Sequence, residues 1–94
     1  MNIPNLKKET YYKLNQDKEL YVYEIVEKYG VQYILGRIKN LKSNEYEFNL
    51  FRYLDRKLEI IETKEELYDV ATEFLKIIPN TEECKEFLDN IMQY

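Results

Sequence analysis

The sequence predicts an α+β domain in which a four- or five-stranded antiparallel meander is followed by two amphipathic helices packed on one sheet face. Two observations carry that prediction. Residues 20–61 are dense in Tyr, Val, Ile and Phe and are broken by short polar loops, the pattern of consecutive strands. Residues 64–92 switch to apolar positions spaced at three and four, the pattern of helices.

The segment Thr10 to Leu14 is a candidate edge strand, and residues 1–9 ahead of it read as a loosely packed arm. Leu20 to Val26 is rich in β-branched and aromatic residues, which suit a pleated, half-buried surface. A helix over residues 18–29, ending at Gly30, is the competing reading, since Leu20, Tyr23, Val26 and Glu27 also fit a helical spacing. Glu27 to Gly30 reads as a tight hairpin loop in which Gly30 supplies a positive φ. Val31 to Ile38 resumes the strand composition, and the polar run Asn40 to Asn44 forms the next loop. Glu45 to Tyr53 alternates, with Tyr46, Phe48, Leu50 and Arg52 on one face and Glu47, Asn49, Phe51 and Tyr53 on the other. By the same alternation Tyr21, Tyr23 and Ile25 oppose Val22, Glu24 and Val26. Asp55-Arg56 is a turn, and Leu58 to Ile61 a short last strand.

Thr63-Lys64-Glu65-Glu66 has the form of a capping box, in which Thr63 accepts from the N–H three residues on and Glu66 reaches back. Leu67, Val70, Ala71, Phe74, Leu75 and Ile78 then make one apolar stripe on a helix over 64–78 that Pro79 ends. Asn80 and Thr81 offer a turn and a second cap. Cys84, Phe87, Leu88, Ile91 and Met92 stripe a second helix over 82–92, with Glu82 and Glu83 at its positive end.

Ninety-four residues make a single domain with a thin core. The apolar fraction of 45% is that of a folded protein, and two Gly and two Pro argue against low complexity. The lone Cys84 permits no intramolecular disulfide, and its place on an apolar stripe predicts a buried structural thiol. The first residues lack a signal-peptide apolar run, and no stretch approaches the roughly 20 apolar residues that span a bilayer. A cytoplasmic protein without membrane association is expected. The eleven lysines against three arginines fit an AT-rich genome, such as that of a low-GC bacterium, phage or plasmid.

The available chemistry is narrow. There is no histidine, the commonest general base and zinc ligand, and Ser43 is the one serine, set in a polar loop with no base nearby. Gly30 and Gly36 fit neither a phosphate-binding loop nor a dinucleotide fingerprint. No loop has calcium-binding spacing. The residues therefore predict no catalysis, no cofactor and no metal site, with a carboxylate-only hydrolase as the one scheme chemistry leaves open.

What remains is binding. The ten tyrosines pair a large apolar ring with one polar tip, which suits contact surfaces. Two helices cover one sheet face, so the other face is expected to expose its rings to a partner. Charge is divided: residues 1–58 carry eleven basic and eight acidic groups, a balance of +3, and residues 59–94 carry three and ten, a balance of −7. Glu62, Glu66, Asp69 and Glu73 line one helical face, as do Glu82, Glu86 and Asp89. Such a stripe either keeps the protein soluble or docks on a basic surface. The candidate contact residues are thus Tyr21, Tyr23, Tyr46, Phe51, Tyr53 and Arg52, then Glu62, Glu66, Asp69 and Glu73. The leading expectation is a small protein-binding module, an inhibitor of a host defence protein acting by surface occlusion, whose partner has a basic or aromatic-accepting surface. The alternatives are a nucleic-acid-binding or regulatory protein using a Tyr/Arg sheet face, and a ligand-binding homo-oligomer that pairs through the same rings.

Overall fold

The structure is a computed structural model of the 94-residue chain and describes residues 6–77 and 82–93. Five strands follow one another: β1 (Thr10–Lys13), β2 (Lys18–Lys28), β3 (Val31–Asn40), β4 (Tyr46–Leu54) and β5 (Lys57–Ile60). They pair antiparallel in the order β1-β2-β3-β4-β5, and the helices α1 (Lys64–Ile77) and α2 (Glu82–Met92) come after them. This is the α+β architecture expected. Residues 18–28 are strand, so the helical alternative is not adopted. The reason is pairing: ten residues of β2 find cross-strand partners on β3, and Leu20 and Val22 are fully buried by it. The expected turn at Pro79 to Thr81, and residues 1–5 of the expected arm, lie outside the described residues. Within that arm Leu6 packs on the sheet, and the Glu9 N–H donates to the Val22 carbonyl at 2.7 Å.

Two tight turns set the registers. Tyr29 and Gly30 link β2 to β3 with φ of 57° and 75°, and Asp55 and Arg56 link β4 to β5 with φ of 52° and 64°. Two consecutive positive φ values match the twist of a hairpin's strands, but glycine alone adopts them without cost.

A bulge interrupts β2. From the Lys28–Val31 pair, the ladder runs evenly to Glu24 opposite Leu35, then slips by one so that Val22 opposes Gly36 and Tyr21 opposes Arg37. Tyr23 is the extra residue. The strict alternation expected for this strand therefore fails: Tyr21, Tyr23 and Val26 share the helix-bearing face, while Leu20, Val22 and Ile25 face the other way.

Each face has its own core. On the helix side, Tyr33, Leu35, Leu50 and Ile61 pack under Val70, Ala71 and Phe74 of α1 and Cys84 and Leu88 of α2. Each large side chain buried there stabilises the fold by about 1.5–3 kcal/mol. The opposite face was expected to expose its rings, and it does not. Leu20, Val22, Ile34, Phe51 and Leu58 form a second buried cluster there, and Phe51 is only 1% exposed. Among the described residues, those packed on this cluster come from the strands or from the flanks of β1, with Leu6, Tyr12 and Leu14 closing one margin. A twisted, bulged sheet coils around its own side chains in this way without a second layer of helices.

Among the described residues, no helix is long and apolar enough to cross a membrane.

Candidate functional site

The solvent-facing rings of the strands, Tyr11 and Tyr46, lie on the helix-bearing face, just past the edge of the helices, while Tyr29 sits in the β2–β3 turn and Tyr68 on α1. Two rows of side chains cross it. Tyr11 of β1, Tyr21 of β2, Arg37 of β3 and Phe48 of β4 stand opposite one another in register. The next row is Lys13, Glu19, Lys39 and Tyr46. Pleating puts these residues on one side because each lies two positions from its neighbour along a strand. The bulge adds Tyr23 between the first row and the helix-covered core.

The rings touch in a chain. Centroid separations are 4.6 Å for Tyr11–Tyr21, 4.7 Å for Tyr21–Tyr23, 5.5 Å for Tyr23–Phe48, 5.8 Å for Tyr46–Phe48 and 5.7 Å for Phe48–Phe87. The last contact joins the chain to α2. The Arg37 guanidinium carbon sits inside it, 5.6, 5.8 and 4.8 Å from the centres of Tyr21, Tyr23 and Tyr46. Attraction between the cation and three ring faces fixes both partners. Tyr46 is anchored further by donating its hydroxyl to Glu83 Oε2 at 2.8 Å. The outer rings meet water: Tyr11 is 57% and Tyr46 45% exposed. Burial pushes the Tyr23 hydroxyl above its ordinary pKa, against the pull of Arg37, and the bond to Glu83 does the same for Tyr46. Both shifts lead away from neutrality, so these hydroxyls stay protonated and serve as hydrogen-bond groups. A hollow of about 260 Å³ opens between Tyr11, Glu19, Tyr21, Arg37 and Lys39.

Of the residues expected at a contact surface, Tyr21, Tyr23 and Tyr46 come together here. The rest go elsewhere. Phe51 is core on the opposite face, and Tyr53 packs half-buried beside it. Arg52 donates through Nη1 to both oxygens of Glu66, at 2.9 and 2.8 Å, and through Nη2 to Glu59 at 3.2 Å. These bonds, to Glu59 first and Glu66 second, raise the pKa of Arg52. Glu66 also accepts from the Tyr33 hydroxyl at 3.1 Å. Its carboxylate therefore points to the sheet, and the capping box is half made: Thr63 Oγ1 accepts the Glu66 N–H at 3.4 Å without the return bond. Asp69 and Glu73 both accept from Lys28, at 2.7 and 3.2 Å. Glu66, Asp69 and Glu73 thus clamp helix to sheet, Asp69 while still exposed, and Glu62, ahead of the helix, is exposed and takes no part in the clamp.

The expected contact set lacked Tyr11, Arg37, Lys39 and Phe87. Leu35, Arg37 and Lys39 alternate onto one face of β3, a signal visible in the sequence; the residue across from Arg37 was not, because the bulge decides it.

Cys84 is a buried thiol in the helix-side core. Among the described residues, no three His, Cys, Asp or Glu side chains gather as metal ligands would. Comparison with protein-family models, with curated proteins and with solved structures finds no match.

Proposed function

We propose that this chain is a small non-catalytic protein-binding module that works by occupying a partner's surface, as an inhibitor carried by a phage or plasmid would. The observation that supports this reading is the interlocked array of Tyr11, Tyr21, Tyr23 and Tyr46 around Arg37, in which Tyr11 and Tyr46 are exposed and Tyr21 and Tyr23 half-buried. Tyr and Arg are the residues that dominate binding hot spots, because a ring already held in place loses little freedom on contact. The rings here are held by each other, by a cation and by Glu83.

The test is affinity capture from lysate of the encoding organism with three forms of the protein. A partner retained by the wild type and by Glu62→Lys/Glu65→Lys, but lost with Tyr11→Ala/Tyr46→Ala, supports the reading. Capture indifferent to the tyrosines, or abolished by the glutamate changes, contradicts it.

A second reading has its own support. Lys13, Arg37 and Lys39 border the rings, and single-stranded nucleic acid binds where bases stack on aromatics beside basic groups. Retention on oligonucleotide resin that weakens steeply with salt would favour it.

A further inference from the structure

We infer that the hollow between Tyr11, Tyr21, Arg37 and Lys39 receives a carboxylate side chain of the partner, presented next to an aromatic or apolar residue. This deepens the protein-binding reading and rests on it.

The helix-bearing face carries four partly buried cations, two of them paired and two not, among the described residues. Lys28 is held by two carboxylates, Asp69 and Glu73. Arg52 is held by two more, Glu59 and Glu66. Arg37 lies beyond the reach of α1, and among the described residues no carboxylate comes within ion-pair distance of it. Lys39, next on the same side of β3, likewise forms no ion pair among them. The Arg37 guanidinium carbon lies 4.8–5.8 Å from three ring centres, and its five N–H donors, spread along the edge of the group's plane, form no ion pair among the described residues. That edge matches a carboxylate, whose two oxygens accept side by side. The aromatic walls displace water and strengthen such a pair relative to an open surface.

The hollow's size and surroundings define the occupant. At about 260 Å³ it falls below the roughly 300–1,000 Å³ of small-molecule sites and suits one side chain. Its rim holds Glu19, and Tyr46 beside it is bonded to Glu83 at the start of the strongly negative C-terminal third. A polyphosphate strand would meet that field at every nucleotide. A single carboxylate flanked by apolar groups meets two positive charges, Arg37 and Lys39, against the one negative charge of Glu19.

The full chain, ¹⁵N-labelled, is titrated with acetyl-Glu-Phe-amide, with its neutral analogue acetyl-Gln-Phe-amide, and with a ten-nucleotide oligothymidylate, while the Arg37 Nε–H and the Tyr21 and Lys39 amides are followed. The glutamyl peptide is expected to shift these signals and to bind roughly tenfold more tightly than the glutaminyl one. Arg37→Gln is expected to erase the difference, and Lys39→Gln, further from the rings, to reduce it. Equal binding of the two peptides, or no shift with either, overturns the carboxylate assignment. Tighter binding of the oligonucleotide with a steep salt dependence overturns it in favour of nucleic acid. If partner capture still depends on Tyr11 and Tyr46 while the peptides bind equally, the protein-binding reading stands and only the carboxylate fails.

Discussion

Gly36 and Tyr21 meet backbone to backbone: a β-carbon on Gly36 would lie 2.7 Å from the Tyr21 carbonyl oxygen and 3.0 Å from Leu20 Cδ1. The approach is this close where the bulge at Tyr23 shifts the register of β2 on β3. The position of Tyr21 beside Arg37 therefore depends on the absence of a side chain at Gly36.

Gly36→Ala tests that dependence. The backbone oxygen cannot swing aside as a side chain would, so the strands must separate. The expected cost is about 1–3 kcal/mol in urea unfolding. The ring signals of Tyr21 should also move relative to those of Tyr53 on the opposite face. An unchanged midpoint with unchanged ring shifts would show that the strands have slack here.

Glu66 is a structural clamp in this fold, tying α1 to Arg52 and Tyr33 of the sheet. Glu66→Ala strips Arg52 of its closer carboxylate and Tyr33 of its acceptor, and should cost about 1 kcal/mol. Glu65→Ala, one residue earlier and exposed, should leave the midpoint within error. Partner capture should survive both changes. Loss of capture by a stably folded Glu66→Ala protein would restore the acidic stripe as a docking surface.

The Lys28 clamp predicts a pH dependence. Hydrogen bonds from Lys28 first and Lys76 second hold the Glu73 carboxyl below the usual glutamate range. A depressed folded value stabilises the fold above the ordinary glutamate pKa, and the contribution is lost as pH falls through the folded value. Lys28 is itself pushed up, chiefly by its bond to Asp69, and stays charged throughout. Lys28→Met should thus lower the urea midpoint at pH 7, with the gap to wild type closing below about pH 4. A gap of constant size down to pH 3 would show that the lost stability is packing and not charge.

Arg56 sits at φ 64° in the second tight turn, where a side chain costs about 1–2 kcal/mol relative to glycine. Arg56→Gly should raise the melting temperature, since relief of that strain outweighs the extra freedom of the unfolded glycine. A lower melting temperature would mean that the guanidinium contributes more than its backbone conformation costs.

The helices were plain in the sequence because a helical stripe is a local pattern: Leu67, Val70, Ala71 and Phe74 need only their own spacing to declare a face. The strands were nearly as plain, and Glu27 to Gly30 and Asp55-Arg56 marked two of their turns, although Glu27 and Lys28 still pair with β3 and leave only Tyr29 and Gly30 in the first. The candidate site was half legible. Counting back from Tyr29-Gly30 without interruption places Val22 opposite Arg37 and turns Leu20 and Val22 toward the helices. One inserted residue reverses this, and no local propensity signals a bulge. The closed second face was hidden for a related reason. Alternation shows that Phe51 and Leu50 point opposite ways, but whether a sheet coils tightly enough to bury Phe51 without a covering helix depends on its accumulated twist. How the acidic residues of α1 are bonded was not legible, since their spacing is the same whether they face water or Lys28 and Arg52.

Site-specific photo-crosslinking in the encoding cell tests the central claim most directly. Benzoylphenylalanine is placed singly at Tyr11 and Tyr46 on the ring-bearing face, at Ile60 on the opposite face and at Glu65 on α1. A discrete heavier adduct, containing a second protein, is expected from Tyr11 and Tyr46 and none from Ile60 or Glu65. Adducts from Ile60 or Glu65 with none from the tyrosine positions would contradict it.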